Sequence, residues 1–124
     1  MSFGGHTYED AEYLAVEAAR EKGIISVAAA GNESTSQRSY PAGFDNTISI
    51  SAVDSDYKFA SFSNFGATVD FAAPGVDVLS INGVMSGTSM ATLHAIAAIA
   101  AAKSFKSNLT KEEVIEFLKR AQLI

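Results

Sequence analysis

Cysteine and tryptophan are absent from this 124-residue chain, and proline occurs only twice. Without cysteine there is no disulfide framework, no thiolate zinc site and no cysteine nucleophile. The same absence suits reducing and oxidising compartments equally, so the compartment is not written in the sequence. Basic residues are sparse: nine Lys and Arg against fourteen Asp and Glu give a net charge of −5, with no Lys/Arg run. This excludes a cationic grip on a phosphate backbone and argues against adhesion to an anionic membrane, so neither nucleic acid nor membrane is expected as a partner. The longest apolar stretch, Met90 to Ala102, is interrupted by Thr92 and His94 and falls short of the ~20 residues that span a bilayer. The opening Met1-Ser2-Phe3-Gly4-Gly5 has neither the basic region nor the apolar core of a secretory leader. His6 and His94 are the whole imidazole inventory, so a histidine base would be one of these two or come from outside the sequence.

What is present is enough for a packed core. Apolar residues make up 48% of the chain and charged residues 19%, which fits one domain or part of one and excludes disorder as the main state. After Gly5, a helix is predicted with Thr7 as N-cap and Glu9 and Asp10 in the first turn. Its apolar stripe is Ala11, Leu14, Ala15, Ala18 and Ala19, and Gly23 ends it. Ile24 to Ala30 follows at once, short, apolar and β-branched at its start, as in a strand buried on both faces. A helix, a glycine and then a buried strand form the αβ half of a parallel α/β unit. Residues Gly31 to Pro41 are polar loop, and Thr47 to Val53 is a second strand. Phe59 to Gly66 reads as irregular. Val69 to Ala72 and Val76 to Ile81 are expected as short strands around a Pro74-Gly75 turn. Asn82-Gly83 is a hairpin signal, with Val84 to Ser86 returning. An Ala-rich helix from Thr88 to Ser104 is apolar on nearly all sides and is expected to be enclosed. Thr110-Lys111-Glu112-Glu113 is a capping box opening a last helix with Val114, Ile115, Phe117 and Leu118 inward.

Two segments carry chemistry. In Gly87-Thr88-Ser89-Met90-Ala91, a serine lies between a strand and a helix, flanked by small residues. Its hydroxyl would sit at a helix N-terminus, where backbone N–H groups stabilise a developing negative charge. Taken alone, such a serine is more often just a helix cap. In Ala28-Ala29-Ala30-Gly31-Asn32-Glu33, an asparagine just past a strand end can aim its amide into the cleft at the carboxyl edge of a parallel sheet. A simple Gly-Asn turn is the other reading.

Together with Met1-Ser2-Phe3-Gly4-Gly5 and Ala73-Pro74-Gly75-Val76, these segments resemble, in order and spacing, four motifs of the subtilisin-like serine proteases, the subtilases. The resemblance covers nearly the whole chain. It implies the carboxyl half of a subtilase α/β domain: a parallel sheet with helices on both sides and the Thr88 to Ser104 helix in its centre. It implies Ser89 as nucleophile, Asn32 as side-chain donor of the oxyanion hole beside the Ser89 N–H, and Thr88 as a neighbour of that hole. Ser2, Phe3 and Gly4 match a strand that pairs with the substrate backbone, and Ala29, Ala30 and Gly31 match the opposite wall of the specificity pocket. The Asp and His motifs of the family triad, which precede the Ser-x-Gly-Gly strand, have no counterpart here. His6 matches no catalytic position. His94 matches a structural one, and at about 100° per residue it lies some 140° around the helix from Ser89. Leu93 and Ala97 stand where the family has proline and glycine, implying different packing along that helix. Asp70 falls near a weak cation site of some subtilases, but one carboxylate is a poor calcium signal, and no metal or cofactor is expected. The function implied is part of a serine endopeptidase, inactive alone, acting on polypeptide and completed by an amino-terminal half. The alternative is a non-catalytic relic that binds peptide or regulates. Self-association is expected in either case.

Overall fold

The computed structural model describes residues 1–120. Helix α1 spans Asp10–Glu21, followed by strands β1 Ser26–Ala29, β2 Thr47–Val53, β3 Phe71–Pro74, β4 Val78–Ser80 and β5 Gly83–Met85. Helices α2 Thr88–Phe105 and α3 Lys111–Arg120 complete the order. β1, β2 and β3 form a parallel sheet in sequence order, with Val27 beside Ile48 and Ile50 beside Phe71. β4 and β5 form a separate antiparallel hairpin. The fold is α/β, as expected.

β2 is buried along its entire length, the mark of a central strand covered on both faces. Ile48, Ile50 and Ala52 join Ala91, Ala95 and Ile99 of α2 in one core with Val114 and Leu118 of α3. Each fully buried aliphatic side chain of this size contributes roughly 1.5–3 kcal/mol. Period 2 sends Thr47, Ser49 and Ser51 to the other face. There the Ser51 hydroxyl donates to the Asn64 carbonyl at 2.7 Å, and the Ala52 N–H donates to Ser63 Oγ at 2.9 Å.

Several elements depart from the sequence reading. α1 starts at Asp10 with Glu9 at the N-cap and no side-chain cap bond, so Thr7 does not cap it. Its inner face is not the alanine stripe: Val16 is buried, while Leu14 is 64% exposed. Tyr13 sets this orientation by packing edge-on to Phe44, in a cluster with Tyr8 and Tyr40. β1 is shorter than expected, with Ile24 exposed beyond the Gly23 turn. β3 begins at Phe71 and runs through Pro74 rather than ending before it; Pro74, at the strand's end, needs no ladder donor. The hairpin's loop residues are Ile81 and Asn82, with Gly83 already paired to Ser80. Ser80 Oγ closes this loop by accepting from Asn82 N and donating to the Gly83 carbonyl.

α2 crosses the sheet through Ala91, Thr92, Ala95, Ile99 and Ala102. Enclosure is met on that side only: Leu93 is 59% exposed, and Ile96 and Ala97 also face outward among the described residues. The α3 capping box forms reciprocally, Glu113 N to Thr110 Oγ1 and Thr110 N to Glu113 Oε2. Phe117 lies exposed rather than inward. Among the described residues, no helix is long and apolar enough to cross a membrane.

Candidate active site

The carboxyl ends of the parallel strands meet the start of α2. Gly75 makes this junction possible. Its N–H donates to the Val53 carbonyl and its own carbonyl accepts from Gly87 N at 2.8 Å. A Cβ at Gly75 would lie 2.7 Å from both Ala52 Cβ and the Gly87 carbonyl oxygen, so only glycine lets these backbones approach. The approach fixes Gly87, and with it the first turn of α2 carrying Thr88 and Ser89.

Thr88 is fully buried and organises the site. Its N–H and its hydroxyl both donate to Asn32 Oδ1, at 2.9 and 3.0 Å, and its Oγ1 accepts from Gly31 N at 3.2 Å. A backbone N–H can only donate, so the Asn32 carboxamide must turn its oxygen toward Thr88. Its Nδ2 then has no hydrogen-bond partner among the described residues and lies near Gly87, 3.8 Å from where a Cβ on that glycine would stand. The Thr92 hydroxyl donates to the Thr88 carbonyl at 2.8 Å and braces the same turn.

Ser89 is half-buried in that first turn, where the helix supplies no acceptor for its N–H. Its hydroxyl donates to the Ser2 carbonyl at 3.4 Å, its one hydrogen bond among the described residues. His94 bonds through Nδ1 to the Met90 carbonyl at 3.1 Å on the exposed side of α2, and His6 bonds to the Arg38 carbonyl at 3.2 Å. Neither imidazole is hydrogen-bonded to Ser89.

Ser89, Thr88, Asn32 and Gly31 line a recess of about 200 Å³ whose other walls include Ser2, Phe3, Gly4 and Ala29. Ala30 lies just behind; its carbonyl accepts from the Ser39 hydroxyl and from Asn64 Nδ2. Ser2, Phe3 and Gly4 form no strand in this structure. The backbone beside them is held at Met1, which bonds to Val27 and Ala29 of β1, and at a Gly5–Tyr40 bridge. The sequence reading missed four wall residues, Gly5, His6, Glu33 and Ser39. Of these, Gly5 and Glu33 lie inside the quoted motifs but carried no assigned role, whereas nothing local marks Ser39 or His6.

A hydroxyl and an unpaired carboxamide NH₂ beside a helix N-terminus are groups suited to forming, and stabilising the charge on, a tetrahedral adduct of a carbonyl. Asp70 stands apart. Its Oδ2 accepts from Ser49 N, and the cleft it lines also holds Arg38 and Lys111. Asp45 lines the same cleft, so two carboxylates, one of them bonded to a backbone N–H, stand among two cationic side chains, a lining poor in free anionic oxygens for a bound metal ion. Among the described residues, no group of three His, Cys, Asp or Glu could hold one.

This junction of parallel strands with a serine-bearing helix is shared with a known class. The model of the subtilase family matches residues 1–122, and the chain belongs to that family. It is 46% identical over 109 residues to the thermophilic serine proteinase of Bacillus sp. (strain AK1), covering 82% of this chain and 27% of that protein. Subtilisin E of Bacillus subtilis (strain 168) is 42% identical over 123 residues, covering 92% of this chain and 32% of the relative. Among solved structures, a protease of Pseudoalteromonas arctica PAMC 21717 superposes with a TM-score of 0.88 at 27% identity, over 97% of this chain and 42% of that one. A cold-adapted subtilisin-like serine proteinase superposes with a TM-score of 0.87 at 32% identity, over 95% and 45%. The chain thus spans less than half the length of each of these relatives.

Proposed function

We propose that this chain is the nucleophile-bearing part of a subtilisin-like serine endopeptidase, with its general base and the aspartate that orients it supplied by polypeptide outside this sequence. In this reading Ser89 attacks the scissile carbonyl of a polypeptide. Asn32 Nδ2 and the Ser89 N–H receive the oxyanion, and Thr88 holds the Asn32 carboxamide in place. Ser2, Phe3 and Gly4 on one side and Ala29, Ala30 and Gly31 on the other bound the substrate groove. The observation that carries the reading is the double donation from Thr88 to Asn32 Oδ1, which leaves Nδ2 free at the recess.

The hydroxyl of Ser89 donates to a carbonyl rather than to an imidazole, and this favours a second reading of the chain by itself: a peptide-binding or regulatory module without turnover. A fluorophosphonate probe separates the two. Labelling mapped to Ser89 by mass spectrometry is expected only when a polypeptide bearing the family's Asp and His motifs is added. Absence of labelling in a demonstrably assembled complex would leave the binding module as the function.

A further inference from the structure

We infer that Asn64 is the positioning residue of the proposed oxyanion donor, acting on Asn32 through the loop that carries it; this rests on the reading of Asn32 given above. Asn64 is 3% exposed and sits in the irregular segment between β2 and β3. Its carboxamide is fully engaged with the stretch from Ala30 to Thr35. Oδ1 accepts from Glu33 N at 2.9 Å and from Thr35 N at 3.2 Å. Nδ2 donates to the Ala30 carbonyl at 2.9 Å and to Glu33 Oε2 at 2.7 Å. One side chain therefore bonds to residues on both sides of Asn32.

Backbone bonds complete the strap: Asn64 N to the Gly31 carbonyl, Ser34 N to the Phe62 carbonyl and Phe65 N to the Thr35 carbonyl. Gly31 is a glycine because of this contact. A Cβ there would lie 2.3 Å from Asn64 Nδ2, and its φ of +111° is one that side-chain-bearing residues avoid. Asn32 itself is exposed, and among the described residues the hydrogen bonds of its side chain go to Thr88 alone. The loop's own rigidity must therefore come from elsewhere, and the Asn64 carboxamide supplies it. A buried polar group with all four hydrogen-bonding sites used is an effective device for specifying one backbone arrangement.

The test reads amide hydrogen exchange in the full chain and needs no catalysis, so it stands even if the proposed activity fails. The reporter is Thr88 N–H, whose acceptor is Asn32 Oδ1 and which makes no bond to Asn64. Asn64→Ala is expected to lower Thr88 protection at least tenfold, as Asn32→Ala should, while amides of β2 keep theirs. Loss of protection at Glu33 and Thr35 with Thr88 unchanged would overturn the inference and leave Asn64 a purely local brace. If Asn64→Ala unfolds the chain, Asn64→Asp decides. It keeps the two acceptor bonds but sets a carboxylate oxygen against both the Ala30 carbonyl and Glu33 Oε2, so Thr88 protection should fall. Unaltered Thr88 protection in Asn64→Asp would also overturn it. In a reconstituted enzyme, the same variant should lower kcat with KM nearly constant.

Discussion

Asn32 is the residue on which the proposed chemistry turns. Its amide would donate to charge that exists mainly in the transition state, so its removal should act on kcat. In a reconstituted enzyme, Asn32→Leu is expected to lower kcat about 10²–10³-fold, the range known for such a donor in subtilisin itself, a member of this family. An effect confined to KM would reduce Asn32 to a shaper of the loop. Gly31→Ala tests the adjoining backbone. A Cβ forced to φ +111° against Asn64 should cost at least about 1–3 kcal/mol, read as a lower denaturation midpoint; an unchanged midpoint would contradict the geometry. Ser89, Asn32 and Thr88 were legible in the sequence because each sits inside a motif whose order and spacing are distinctive. Asn64 was not, because its partners lie some thirty positions upstream and a lone asparagine in an aromatic, serine-rich segment carries no period or spacing of its own.

Among the elements, α1 is tied to the sheet by a polar joint. Glu17 accepts from Asn46 Nδ2, next to the start of β2, and pairs with Arg20. The bonds from Arg20 and Asn46 pull its carboxyl pKa from 4.5 down to about 2. A carboxylate depressed on folding contributes stability above its unfolded pKa and loses that contribution as pH falls through the folded value. The stability difference between wild type and Glu17→Gln should therefore be constant above about pH 4.5 and shrink toward zero by about pH 2. Because the joint faces solvent, the difference should be small and should weaken with salt; denaturation midpoints at several pH values check it, and a difference that grows on acidification would contradict the assignment. β2 and the capping box of α3 were readable in full, since alternation and a reciprocal side-chain cap are local signals. The inward face of α1 was not. Its small alanines fit either side, and the choice fell to Tyr13 and the distant Phe44.

Taken whole, the molecule has surfaces that ask for company. Leu93 and Ile96 on α2 are exposed, Ile96 sharing a recess with Ile24, and the outer edge of β1 is covered only by Met1 among the described residues. Exposed apolar side chains beside so thinly covered a strand edge favour association, so light scattering at low micromolar concentration should show species larger than one chain. A clean monomer that binds no hydrophobic dye would contradict this. The parallel sheet was foreseeable from the αβ succession, whereas its strand order has no local signal. How far α2 is covered was not foreseeable either, because a helix apolar on nearly all sides carries no signal for which side is left exposed.

The central claim is that Ser89 has its oxyanion donors in place and lacks only a base from outside the sequence. Removing the base of a subtilisin triad costs ~10⁶ in rate, a figure known for that enzyme. The direct measurement is hydrolysis of a peptide ester by the chain alone, wild type against Ser89→Ala. The account predicts equal background rates, with a Ser89-dependent rate appearing only when a polypeptide bearing the family's Asp and His motifs is added. Turnover by the chain alone that vanished in Ser89→Ala would contradict it and place the base within these 124 residues.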